Sequence, residues 1–119
     1  MKKTVVIGAS PNEARYSNIA VRKLAKYGHE AIPLGIRTGE IIGKEIIIDR
    51  PVLTDIDTVT MYVGPQNQEN WIDYIYSLNP KRIIFNPGTE NSDFINDARK
   101  KGIEVLSTCT LVLLDSGGF

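Results

Sequence analysis

Apolar and polar positions change period repeatedly along the chain, and short continuous apolar runs alternate with segments of helical spacing. Thr4 to Gly8 is a β-branched apolar run closed by a glycine, which suits a strand buried on both faces. From Ser17 to Tyr27, Ala20, Val21, Leu24 and Ala25 recur at helical spacing. Arg22, Lys23 and Lys26 take the other side, and Gly28 supplies the stop. Glu30 to Leu34 predicts a second strand and Asp57 to Val63 a third. Gly64-Pro65 breaks that strand into a helix over residues 66–78, with Trp71, Ile72, Ile75 and Leu78 inward and Asn79-Pro80 at its end. Arg82 to Phe85 predicts a fourth strand. Asn91 or Ser92 caps a helix that turns Phe94, Ile95 and Ala98 inward, and Gly102 closes it. Ile103 to Leu106 predicts the fifth strand, and Thr110 to Leu114 a last helical turn folded back onto the sheet.

Such alternation predicts an α/β fold: a Rossmann-like, three-layer, doubly wound parallel sheet of five strands in the order 3-2-1-4-5, with right-handed crossovers. One stretch interrupts it. Residues 40–48 hold two short β-prone runs around Gly43-Lys44 and no helical period, which predicts a hairpin or irregular flap between strands two and three. Ligands of an open sheet in that order collect at the carboxyl ends of the strands, at the switch point between strands one and four. Gly8-Ala9-Ser10-Pro11-Asn12 follows strand one, with Arg15-Tyr16-Ser17 at the helix start. Gly35-Ile36-Arg37-Thr38, Val63-Gly64-Pro65-Gln66, Asn86-Pro87-Gly88-Thr89-Glu90 and Ser107-Thr108-Cys109 follow the other four. These loops are rich in glycine, small hydroxyls and amides, while the opposite edge is mostly charged.

Composition narrows the chemistry. The 119 residues suit one domain over residues 1–119 with a core of its own. Fourteen basic residues balance fourteen acidic ones, so no net field draws the chain to nucleic acid or an anionic membrane. Phosphate binding must therefore be local. The single Cys109 allows no intramolecular disulfide, and the apolar run after Met1-Lys2-Lys3 stops at Gly8, too short for a signal or a membrane span. The expectation is a cytoplasmic protein.

The first loop is the phosphate candidate: free amides at the helix start, the helix dipole and the Ser10 or Ser17 hydroxyl favour an anion, and Arg15 adds a charge-assisted hydrogen bond. The plainer alternative makes Ser10 and Asn12 ordinary turn and cap residues. The G-x-G-x-x-G fingerprint is missing, since Ser10 and Glu13 stand where it needs a glycine and a small residue. The acidic residue that ends strand two in NAD sites is replaced by Gly35-Ile36-Arg37. An arginine there suits a phosphate on the ribose, as in NADP or coenzyme A. Catalytic patterns are weak. His29 sits at a helix-to-strand turn away from the carboxyl edge, and Cys109 reads better as a small buried residue than as a nucleophile. Glu90 is a loop carboxylate without a partner acid. Trp71, Tyr74 and Tyr76 describe helix-to-sheet packing plus one half-exposed face.

Over nearly its whole length the chain resembles the small stand-alone bacterial CoA-binding domain proteins, whose fold is similar to the N-terminal domain of the succinyl-CoA synthetase α subunit. Four motifs carry the resemblance: Val6-Ile7-Gly8-Ala9-Ser10 with Arg15-Tyr16-Ser17; Gly28-His29-Glu30-Ala31-Ile32-Pro33; Asn86-Pro87-Gly88-Thr89-Glu90-Asn91; and Cys109-Thr110-Leu111-Val112-Leu113-Leu114. It implies a coenzyme A site in which Gly8, Ala9, Ser10, Arg15, Tyr16 and Ser17 surround phosphates, and Gly35 and Arg37 lie near the adenosine end. Val63, Gly64 and Pro65 form an apolar wall, with Asn86 and Pro87 beside the pantetheine path. Gly35-Ile36 stands where the family usually has an Asn-Pro turn, which leaves the contacts at the adenosine end open. Three readings follow. The first is a non-catalytic module that binds CoA or an acyl-CoA as sensor or carrier. The second is an NADP- or CoA-dependent enzyme using Cys109 or Glu90. The third is an interaction subunit with a vestigial nucleotide site, docking through the Trp71/Tyr74 face or the hairpin. A homodimer through an exposed sheet edge or the flap, and an unknown protein partner, stay open.

Overall fold

Every residue of Thr4–Ile7 is buried, and this run forms β1, on which the rest of the sheet is built. In the computed structural model, which describes residues 1–119, β1 pairs in parallel with β2 (Ala31–Leu34) on one side and β5 (Thr58–Met61) on the other. The strands β6 (Arg82–Phe85) and β7 (Glu104–Ser107) continue outward from β5, also parallel. The helices α1 (Tyr16–Lys26), α2 (Glu69–Ser77) and α3 (Ser92–Lys100) run between strands, and α4 (Thr110–Ser116) follows β7. A 3-10 turn, Pro65–Asn67, precedes α2 and takes over the first residues of the longer helix expected there.

Alternation of side chains across the sheet divides the core in two. Val5, Ile7, Leu34, Val59, Met61, Ile83 and Phe85 face Trp71, Ile75 and Leu78 of α2 and Phe94, Ile95 and Ala98 of α3. Val6, Ala31 and Ile84 face Val21 and Leu24 of α1 and Leu114 of α4. Each fully buried Ile, Leu or Phe contributes about 1.5–3 kcal/mol relative to an exposed one, so these two layers carry the fold. Asn91 caps α3 by accepting from the Phe94 N–H at 3.3 Å.

The interrupting stretch is a hairpin, β3 (Glu40–Ile41) and β4 (Lys44–Glu45), paired antiparallel. Its turn lies at Ile42-Gly43, one residue earlier than expected, and both residues have positive φ, 46° and 78°. That is the demand of a two-residue hairpin turn matched to strand twist. Ile41 and Ile46 bury against the α1 side of the core.

Strand order needs one correction. After β4, Ile47 forms a parallel bridge to Leu34 on the outer edge of β2: its N–H donates to the Pro33 carbonyl at 3.0 Å, and its carbonyl accepts from Gly35 at 3.1 Å. Counted across, the order is Ile47, β2, β1, β5, β6, β7. The 3-2-1-4-5 pattern is kept, but Ile47 occupies its third place and the strand read from residues 57–63 occupies the fourth. Burial explains the exchange: Thr58–Met61 is buried throughout, which only a strand covered on both faces allows. The switch point therefore lies between β1 and β5.

Candidate functional site

Parallel register sets the height of every loop on the carboxyl edge. Ile7 pairs with Leu34 and Met61, Met61 with Phe85, and Phe85 with Ser107. The next residues, Gly8, Gly35, Tyr62, Asn86 and Thr108, are thus brought level at the switch point. Two glycines let the backbones meet there. Gly8 has φ +93°, and a Cβ on it would lie 2.9 Å from Val63 Cγ2 and 3.0 Å from the Tyr62 carbonyl oxygen. A Cβ on Gly35 would lie 2.5 Å from the Ala9 carbonyl oxygen. No side chain fits at either place.

Above this junction opens a cavity of about 860 Å³, within the ~300–1,000 Å³ range of small-molecule sites. Of the residues expected at a ligand, Gly8, Ala9, Ser10, Arg15, Tyr16, Ser17, Gly35, Arg37, Val63, Gly64 and Pro87 line it. Pro65 lies on the exposed 3-10 turn and is not part of the wall. Asn86 is not either. Its amide is committed inside the protein, donating to Thr60 Oγ1 at 2.7 Å and the Met61 carbonyl at 2.8 Å and accepting from the Thr110 N–H at 2.8 Å. Asn86 thus ties β5, β6 and α4 together beneath the site.

The first loop presents polar groups and the start of α1 to the cavity. The Ser10 hydroxyl oxygen accepts from the Asn12 N–H at 3.1 Å and Asn12 Oδ1 accepts from the Ala14 N–H at 2.9 Å, so the turn reading of Ser10 and Asn12 is correct as well. The serine O–H remains available to donate. Arg15 occupies the N-cap position of α1 without making a side-chain cap, and the first turn has no acidic residue. The positive end of an eleven-residue helix is therefore open toward the cavity.

Sequence reasoning missed several wall residues: Arg50, Tyr62, Asn67 and Asn70, and Trp71 as a wall residue rather than a packing one. Trp71 is only 5% exposed, and the Tyr74 hydroxyl donates to the Pro51 carbonyl at 2.8 Å. The proposed Trp71/Tyr74 docking face is thus already occupied by the chain itself. Arg50 covers it, its guanidinium carbon 4.1 Å from the indole centroid. Tyr62 has a buried hydroxyl that makes no hydrogen bond, and burial pushes the phenol well above its ordinary value, so it stays neutral. Gln68, wholly buried, donates to the Val63 carbonyl at 2.8 Å and the Thr89 carbonyl at 2.6 Å, joining the loops after β5 and β6.

The three residues considered for catalysis stay away from the cavity. His29 accepts from the Lys2 N–H at 2.9 Å and packs on Phe119 at 4.9 Å. Glu90 accepts from the Gly88 N–H at 2.8 Å and so closes its own turn. Cys109 is half-buried at the N-cap of α4 and is not in the wall. No group of three or more His, Cys, Asp or Glu comes together, and no helix is long and apolar enough to cross a membrane.

Charge is the distinguishing property of the wall. Arg15, Arg37 and Arg50 line it, no aspartate or glutamate does, and the one salt bridge of the protein, Lys23–Asp115, lies elsewhere. A chain of zero net charge has therefore gathered three unpaired guanidiniums around one cavity. Together with the glycine junction and the open helix end, this gives a Rossmann-like fold with a cationic, acid-free cavity at its switch point.

A model of the CoA binding domain family matches residues 2–115, and the chain belongs to that family. No curated protein matches it. Among solved structures, one described as an uncharacterized protein is similar at 50% identity and a TM-score of 0.98, covering 100% of this chain and 98% of that one. A conserved hypothetical protein from Pyrococcus furiosus is similar at 27% identity and a TM-score of 0.82, covering 94% and 98%. The dinucleotide forming Acetyl-coenzyme A synthetase 1 of Ca. Korarchaeum cryptofilum, solved with phosphate and ADP, shares the fold at 18% identity and a TM-score of 0.71, over 89% of this chain and 25% of that one.

Proposed function

We propose that this protein binds coenzyme A or an acyl-CoA as a non-catalytic module of the cytoplasm, a sensor or carrier rather than an enzyme. The observation that carries the reading is the acid-free cavity lined by three unpaired arginines beside an open helix end. Such a site favours a ligand with several phosphate charges, and coenzyme A has a pyrophosphate and a separate phosphate on the ribose. Membership of the CoA binding domain family points the same way. Ser10, Arg15, Ser17 and the first-turn amides of α1 would hold the pyrophosphate, Gly35 would let the adenosine end approach the backbone, and Val63 would offer an apolar flank. Support for the non-catalytic part comes from the wall, whose serine, threonine and tyrosine hydroxyls have no carboxylate, imidazole or thiol in the wall to activate them.

Calorimetric titration with CoA, acetyl-CoA, NADP and NAD tests the reading, with Arg15→Ala and Ser10→Ala as controls. The expected result is micromolar binding of CoA and acetyl-CoA, weakened in both variants and not matched by NADP or NAD. Equal binding of NADP, or binding of none of the four, would overturn it.

A further inference from the structure

The three arginines of the cavity differ in how they are held. Arg15 and Arg37 are exposed and their guanidiniums make no hydrogen bond or ion pair within the protein. Arg50 is different. Its planar group lies 4.1 Å over the centroid of Trp71, and Nη1 donates to the Asn70 carbonyl oxygen. Its position over the indole and one donor are therefore held by α2, while Nε and Nη2 make no hydrogen bond within the protein. The backbone beside it is held too, because the Tyr74 hydroxyl donates to the Pro51 carbonyl. A guanidinium stacked on an indole keeps its edge donors and loses its rotational freedom, which is the condition for bidentate recognition of a phosphate at low entropic cost. The adjacent Asp49 forms no ion pair with it.

Position separates Arg50 from the phosphate loop. Arg15 and Ser10 come from the segment between β1 and α1, whereas Arg50 comes from the segment after the hairpin and rests on α2. In coenzyme A the pyrophosphate hangs from the 5′ carbon of the ribose and the third phosphate from the 3′ carbon, so one ribose presents anions in two directions. We propose that Arg50, pre-set on Trp71, rather than the exposed and uncontacted Arg37 after β2, takes the 3′-phosphate of coenzyme A and makes this chain discriminate CoA from dephospho-CoA. The inference rests on the reading of the cavity as a CoA site, and adds to it a residue and a specificity.

Trp71 is the only tryptophan of the chain and lies under Arg50 in the cavity wall, so its fluorescence reports the contact directly. The experiment is a fluorescence titration of the wild type and Arg50→Met with CoA and with dephospho-CoA; the methionine keeps an apolar stem over the indole and removes the charge. The wild type should bind CoA about tenfold or more tighter than dephospho-CoA, the scale of charge-assisted hydrogen bonds to one phosphate. Arg50→Met should abolish that preference, weakening CoA by about tenfold or more and dephospho-CoA by much less. A variant that weakens both ligands equally has lost only packing, and overturns the inference. So does a variant that keeps the preference. Wild-type protein that binds CoA and dephospho-CoA alike overturns the inference and leaves the CoA site standing; binding of neither ligand overturns both.

Discussion

Gly8 and Gly88 share a backbone conformation, with φ of +93° and +92°, but not an environment. A Cβ at Gly88 meets nothing within 4 Å, whereas at Gly8 it would meet Val63 Cγ2 at 2.9 Å and the Tyr62 carbonyl oxygen at 3.0 Å. Alanine at Gly88 therefore incurs only the cost of a left-handed conformation, about 1–2 kcal/mol for an L-residue. Alanine at Gly8 incurs the same cost plus overpacking against a backbone carbonyl that the parallel ladder holds in place, a further ~1–3 kcal/mol. The pair isolates the close approach of β1 and β5 from the conformational term. Urea unfolding monitored by far-UV circular dichroism should give Gly8→Ala a loss larger than Gly88→Ala by about 1–3 kcal/mol, with equal m-values. Ligand binding should divide the same way: Val63 and Tyr62 line the cavity, so Gly8→Ala weakens CoA and Gly88→Ala does not. Equal losses of stability in the two variants would refute the reasoning. They would mean that the loop after β5 yields freely, and that the glycine does not set the spacing of the switch point.

Two further outcomes follow from strain and titration. Ile42 holds φ 46° at the hairpin turn while 55% exposed, so Ile42→Asn, which tolerates that conformation, should stabilise the protein by about 1 kcal/mol in thermal or urea unfolding; a lower melting temperature would contradict the strain. Desolvation, then the nearby N-terminus and Lys2, holds the His29 imidazole below its ordinary 6.5, and its Nδ1 accepts from the Lys2 N–H. Between the lower folded value and 6.5 the unfolded chain binds more protons, so stability is complete above 6.5 and is lost as pH falls through the folded value. Unfolding curves across that window should show the decline, and His29→Asn, which keeps an acceptor near Nδ1, should flatten it; an unchanged slope in the variant would rule His29 out as its source.

The fold was legible where a segment's own pattern decided its place. The apolar runs Val5-Val6-Ile7 and Ile83-Ile84-Phe85, and the spacing of Ala20, Val21 and Leu24, reflect burial that each residue experiences on its own element. Strand order was less legible because it depends on pairings that no local period records. Ile47 takes the edge of β2 through two backbone hydrogen bonds, and a backbone bond leaves no mark on side-chain pattern. What the sequence did contain was an uncharged run, Thr58-Val59-Thr60-Met61, with three β-branched residues, and weighing it would have moved that strand inward from the sheet edge.

The site divides along a similar line. Gly8 to Ser17, Gly35 to Arg37 and Val63-Gly64 were found because they directly follow strands, and a parallel sheet with fixed register brings such residues level whatever their side chains. Arg50 follows no strand. It reaches the cavity because Trp71 and Asn70 of α2 hold it, a contact across twenty residues between a loop and a helix face that looked like ordinary packing. Asn86 shows the converse: it occupies the right position on the right edge, yet its amide links β5, β6 and α4 in the layer beneath the cavity. Position after a strand therefore identifies the floor and the first loop of this cavity, but not which polar group is free. That depends on the partners each group finds within the fold. An arginine stacked on an indole with open edge donors and an asparagine with every donor and acceptor engaged sit on opposite sides of the distinction.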